Sequence, residues 1–206
     1  MTGVQTCALP ILVYKGGLYF AALIAAASVL SLIEYFKIVL KFSDESLLNI
    51  FPVIGFLAGP ALIGAAHFSA GMVILVLALN LLAAGLIIVF SAESGRLRKL
   101  DSMGKQIFGM VYIPLFLSCL VLIRNTQEGM IWIFLLIAVV FAGDTAAYYV
   151  GTYRGRHKLY PSVSPGKTIE GSIGGLLGGV IAGSLVKVIF LPDLEWGLSL
   201  IFFLSA

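Results

Sequence analysis

Apolar residues in this chain are gathered into long unbroken blocks rather than alternating with polar ones. A helix needs about 20 such residues to cross about 30 Å of hydrocarbon. Blocks of that size predict spans at Gly17–Leu40, Leu47–Ala66, Ala70–Phe90, Ile107–Ile123, Met130–Tyr153 and Pro165–Leu191, and a truncated seventh starts near Trp196. Continuous runs argue against a β-barrel, whose strands alternate lipid-facing and lumen-facing residues. The expected fold is therefore an all-α polytopic membrane protein with about six complete transmembrane helices plus a truncated seventh.

Composition agrees. Of 206 residues, 60% are hydrophobic and 11% charged, with mean hydropathy +1.08; a soluble domain of this length needs more polar surface. The 23 glycines suit helices that pack closely in lipid. A net charge of +3 is too small to argue for nucleic acid. Where the cations sit says more. Lys37 and Lys41, then Arg96, Arg98, Lys99 and Lys105, then Arg154, Arg156, Lys158 and Lys167 occupy alternate connections, ten of the 13 basic residues. The opposite side keeps Lys15, Arg124 and Lys187. By the positive-inside rule the Arg154–Lys167 loop faces the cytoplasm. That orientation starts the first span outside, so an earlier span is expected before it. Cys7 and Cys119 suggest no disulfide framework.

Met1–Ile11 has neither the basic start nor the long apolar stretch of a signal peptide. It resembles an in-frame translation of a sequencing-library adapter. The expected organisation is a non-native leader over 1–11 and an incomplete transmembrane domain over 12–206, both ends looking cut.

Asp144 is the anomaly in the hydrophobic pattern. It lies nine residues inside the fifth span, or about 14 Å at 1.5 Å per residue, where a carboxylate is costly without a partner, a cation or water. A purely structural, hydrogen-bonded Asp is the plainer reading. Its neighbourhood favours a functional one. Gly143, Ala147 and Gly151 recur at four-residue spacing, as do Gly171, Gly175, Gly179 and Gly183 on the next span. Such stripes permit close helix contact, which brings Asp144 toward the start of the sixth span. Asp144, Tyr148 and Gly151 share a face. Ser164-Pro165 reads as an N-cap followed by proline at the first helical position, and a helix start suits phosphate. Lys167 adds a full charge there, Ser164 and Thr168 add hydroxyls, and Glu170 is placed to orient Lys167 or help hold a cation. Arg154 and Arg156 read as lipid-headgroup anchors. Glu34 is expected to snorkel, Asn80 to hydrogen-bond between helices, and His67 to be solvated.

The run Asp144-Thr145-Ala146-Ala147-Tyr148, Gly151, Gly155-Arg156-His157-Lys158-Leu159 and Ser162-Val163-Ser164-Pro165-Gly166-Lys167-Thr168-Ile169-Glu170-Gly171 closely resembles bacterial CDP-diacylglycerol synthases (phosphatidate cytidylyltransferases). The resemblance implies a nucleotidyltransferase of phospholipid biosynthesis in the bacterial inner membrane. It would take CTP and phosphatidic acid to CDP-diacylglycerol and pyrophosphate with Mg²⁺, a second cation being left open. It assigns Asp144 to cation or catalytic duty with Lys167, and Lys158, Ser162, Ser164, Lys167, Thr168 and Glu170 to the substrates. Membrane lipids are implied partners, nucleic acid is not, and a homodimer is left open. The family's C-terminal signature, with its His-Gly-Gly and Asp-Arg-x-Asp pattern, does not occur in the chain. The expectation is therefore that the full-length product is the enzyme and this fragment alone is inactive.

Three other readings remain. A transporter would use Asp144 for a proton or sodium ion, but would be expected to show internal repeats, and none is evident. A CTP-dependent lipid or polyprenol kinase shares the phosphate chemistry and is separated by its product. A structural scaffold predicts that changing Asp144 or Lys167 does nothing.

Overall fold

A computed structural model describes residues 11–39, 50–90 and 96–205. The chain divides into two compact units, Met1–Gly129 and Met130–Ala206. In order, the elements are α1 (Gly17–Val39), α2 (Ile50–Phe68), α3 (Ala70–Val89), α4 (Arg96–Met110), a π-helical turn (Val111–Leu115), α5 (Phe116–Arg124), α6 (Gly129–Arg154), β1 (Lys158–Tyr160), β2 (Ser164–Thr168), α7 (Ile169–Phe190) and α8 (Trp196–Ser205). Six helical stretches are long and apolar enough to cross a membrane: α1, α2, α3, the continuous run Lys99–Arg124, α6 and α7. The protein is a multi-pass, essentially all-α membrane protein.

Within the first unit, α2 is the central helix, packed by α1, α3 and the α4–α5 run. Phe36 and Leu32 are fully buried. They come so close to the α2 glycines that a β-carbon on Gly55 would stand 3.0 Å from the Phe36 ring. Phe36 also meets Phe56 edge-on, centroids 5.4 Å apart. Pro114 lies inside the π-helical turn, as expected where a residue without an N–H interrupts the helical ladder. Asn80 does bond between helices: Gln106 Nε2 donates to its Oδ1 at 3.2 Å, and both side chains are buried. His67 is half-buried rather than solvated, its ring against Phe68 at 5.6 Å. Glu34 is exposed, as snorkelling requires.

The predicted fourth span began at Ile107, but the helix starts at Arg96. Hydropathy marks where lipid contact begins, not where the helix begins. The charged segment continues the same helix, with an Asp101–Lys105 ion pair at i,i+4 spacing. Met1–Pro10, which carry most of the expected leader, lie outside the described residues. So do Leu40–Asn49, with Lys41 and the start of the second predicted span.

The second unit is built on α6, α7 and α8. Leu135, Val139, Leu191 and Phe203 form its buried cluster. Lys187, 4% exposed, donates to the Pro192 carbonyl at 3.1 Å and stands 4.3 Å over the Trp196 ring. That closes the turn between α7 and α8. Between α6 and α7 the chain forms a small antiparallel hairpin, pairing Lys158 with Thr168 and Tyr160 with Ser164 around an irregularity.

Candidate functional site

The glycine stripes do what their spacing foretold. A β-carbon on Gly175 would stand 3.0 Å from Ala147 Cβ and 3.1 Å from the Gly143 carbonyl oxygen. One on Gly171 would stand 3.0 Å from the Ala147 carbonyl oxygen and 3.1 Å from Gly151 Cα. A β-carbon at these crossings would crowd the facing backbone, so α6 and α7 approach closely, backbone to backbone. That approach sets Asp144 beside the first turns of α7.

The start of α7 differs from expectation. Ser164 is not its N-cap, and Pro165 is not its first residue. Both lie in β2, and the cap is Thr168, with extended dihedrals (φ −124°, ψ 154°). Thr168 Oγ1 accepts from Gly171 N at 3.1 Å, satisfying one of the otherwise open amides of the first turn. Pro165 carries no N–H, which a strand in a two-stranded hairpin tolerates. The Ser-Pro signal is real but local, and the pairing of the hairpin overrides it. Lys167 consequently sits at the end of a strand just before the cap, rather than inside the helix.

Two adjoining hollows meet at Asp144. The outer one, of about 720 Å³, is lined by Asp144, Tyr148, Thr152, Lys158, Ser164, Lys167, Thr168 and Ser172 together with the glycines of the crossing. The inner one, of about 270 Å³, is bounded by Asp144 and Ser172 but otherwise by Val139, Val140, Leu176, Phe203, Leu204 and small residues. Asp144, Ala147 and Ser172 belong to both walls. The outer hollow lies at the hairpin end with charged and hydroxyl side chains in its wall, the inner one is walled mainly by apolar residues, and Asp144 belongs to both.

Five of the seven residues singled out from the sequence, Asp144, Lys158, Ser164, Lys167 and Thr168, are brought together in the outer hollow. Ser162 and Glu170 do not line it. Ser162 lies in the exposed turn of the hairpin. The Glu170 carboxylate accepts from the backbone N–H of Arg156 at 3.1 Å and of His157 at 3.2 Å, and meets His157 Nδ1 at 2.7 Å. Neither Asp144, Lys158 nor Lys167 has an ion-pair partner among the described residues. Thr152 and Ser172 were missed. Ser172 stands four residues beyond Thr168, donating to its carbonyl at 3.1 Å. Its i,i+4 relation to the cap was available as a signal.

The donor set bears on metal. Asp144 is the sole acidic residue lining the outer hollow, and no group of three His, Cys, Asp or Glu forms a ready-made cage among the described residues. Mg²⁺ is commonly held by one or two carboxylates plus substrate phosphates. The residues present fit an ion shared with a phosphorylated ligand, and not one held by protein alone.

The model of the Cytidylyltransferase family matches residues 2–206, and the chain belongs to that family. Among similar curated proteins is a phosphatidate cytidylyltransferase of Bacillus subtilis, 32% identical over 90 residues, or 43% of this chain and 34% of the relative. One from Staphylococcus saprophyticus is 44% identical over 69 residues, 34% of this chain and 26% of the relative. One from Mycobacterium tuberculosis is 29% identical over 97 residues, 47% of this chain and 30% of the relative. The aligned stretches thus span about a quarter to a third of the length of these relatives.

Proposed function

We propose that this chain carries the nucleotide- and phosphate-handling part of a phosphatidate cytidylyltransferase, which makes CDP-diacylglycerol and pyrophosphate from CTP and phosphatidate. One observation carries the reading: a carboxylate and two lysines, none with an ion-pair partner among the described residues, line one hollow that shares Asp144, Ala147 and Ser172 with a second, more apolar one. The similarity to bacterial phosphatidate cytidylyltransferases supports it.

The chemistry follows from charge and position. The phosphate oxygen of phosphatidate attacks the α-phosphorus of CTP, the bond from that phosphorus to its bridging oxygen breaks, and pyrophosphate leaves. A phosphate monoester is already a nucleophile, so no serine nucleophile is needed. Catalysis is then mostly alignment and neutralisation of like charges. Lys158 and Lys167 offset the negative charge of the nucleotide phosphates, and Ser164 and Thr168 can donate hydroxyl hydrogens to phosphate oxygens. The apolar inner hollow suits the glycerol end of a lipid rather than a nucleotide. Asp144, with Ser172 beside it, would hold Mg²⁺ against the phosphates, where the ion would supply Lewis-acid charge stabilisation. The protein would lie in the bacterial inner membrane with the hairpin on the cytoplasmic side, where CTP is available. The Arg154–Lys167 cations support that orientation.

The test is conversion of CTP labelled at its α-phosphate, by membranes expressing the full-length gene product, with phosphatidate or a polyprenol as acceptor. Label entering CDP-diacylglycerol, dependent on phosphatidate and accompanied by pyrophosphate, supports the proposal. Label-free phosphorylation of the polyprenol, or solute exchange without nucleotide turnover, overturns it.

A further inference from the structure

The acidic residue of the α7 start is turned away from the hollow, and its partners say what it is for. Glu170 lies in the first turn of α7, yet its carboxylate reaches back 13 and 14 residues to the chain leaving α6. It takes the amides of both Arg156 and His157, and the His157 ring stands at 2.7 Å. The backbone closes the same junction: Ile169 N donates to the His157 carbonyl at 2.9 Å. Above it, Lys158 opposite Thr168 begins the hairpin. The far end is closed by Val163 N donating to the Tyr160 carbonyl at 3.2 Å. A two-stranded hairpin of three and five residues makes a weak element alone. A carboxylate receiving two amides adds charge-assisted bonds, which are stronger than neutral ones. These sit at the base, where slippage would move every side chain above.

We infer that Glu170 is a positioning residue: it clamps the base of the Lys158–Thr168 hairpin and so holds Lys158, Ser164 and Lys167 over the outer hollow. It touches neither nucleotide nor cation. Two backbone amides and the His157 ring, which is itself largely in solvent, all bond this one carboxylate. This inference rests on the proposed function for its catalytic consequence, but the clamp itself has a readout independent of activity.

That readout is trypsin digestion of the protein in mild detergent. Cleavage follows local opening of a segment, and the hairpin and its approach carry Arg154, Arg156, Lys158 and Lys167. Glu170→Ala is expected to speed cleavage after Arg156 and Lys158 by about tenfold, the scale of losing charged hydrogen bonds, with cleavage after Arg124 unchanged. Glu170→Gln keeps the length and one acceptor, and should fall between. His157→Ala leaves both amide bonds and should change the rate less than about threefold. In the full-length product, Glu170→Ala should raise the KM for CTP about tenfold and leave kcat within about threefold. Unchanged hairpin cleavage in Glu170→Ala and Glu170→Gln overturns the clamp. So does acceleration at Arg124 as much as at Lys158, which marks general unfolding, or faster cleavage with an unchanged KM. If the parent itself does not turn over CTP, the functional reading fails while the cleavage rates still judge the clamp.

Discussion

Asp144 and Lys167 stand at opposite walls of the same problem: each is a charge the protein leaves for something else to neutralise. Lys167 lies at the end of β2 and lines the outer hollow without an ion-pair partner among the described residues. Its job in the account is to meet phosphate, so Lys167→Ala should raise the KM for CTP by about tenfold or more, the worth of a charge-assisted bond. Lys167→Arg should recover most of the loss. Steady-state kinetics at varied CTP checks both. An alanine variant with unaltered KM would remove Lys167 from the site. Five of the seven chosen side chains were legible because residue type, spacing and helix periodicity together put them on one face. Ser162 and Glu170 do not line the hollow, for a common reason. Adjacency in sequence was read as adjacency in space, and the hairpin turns Ser162 outward while Glu170 reaches backward to the Arg156 and His157 amides.

At the scale of elements, the crossing of α6 and α7 is what makes a site out of scattered residues. A β-carbon on Gly175 would already meet Ala147 and the Gly143 carbonyl, and a leucine there must push the helices apart. Gly175→Leu is expected to cost about 1–3 kcal/mol and to lower the thermal midpoint in detergent. Gly64 is the internal control: nothing lies within 4 Å of a β-carbon placed there. Gly64→Ala should be neutral or gain up to about 1 kcal/mol from helix propensity. Equal midpoints for the two variants would mean that the stripe does not pack. Span positions and the glycine stripes were readable because lipid demands long apolar runs and close crossings demand missing side chains. The hairpin was not readable. Its strands, Lys158–Tyr160 and Ser164–Thr168, are short and, Ser164 and Thr168 apart, exposed, so no alternation of apolar and polar residues marks them. The Ser164-Pro165 pair advertises a helix start four residues early.

On the scale of the whole molecule, six membrane-length helices make a multi-pass membrane protein, and within the second unit the hairpin between α6 and α7 gathers charged and hydroxyl side chains around the outer hollow. The expected orientation rests on counting basic residues by side, without reference to packing. The inner hollow was not legible, because its wall depends on how α8 brings Phe203 and Leu204 against α6 and α7. Asp144 is the one ionisable residue shared by the two, and the central claim is that this carboxylate serves the reaction at their border. The direct measurement is the initial rate at which label from CTP enters CDP-diacylglycerol in the full-length product carrying Asp144→Asn, at matched expression and saturating phosphatidate. The account predicts a fall of about a hundredfold or more, as for loss of a group that stabilises developing charge, with the thermal midpoint within a few degrees of the parent. A rate equal to the parent's would contradict it.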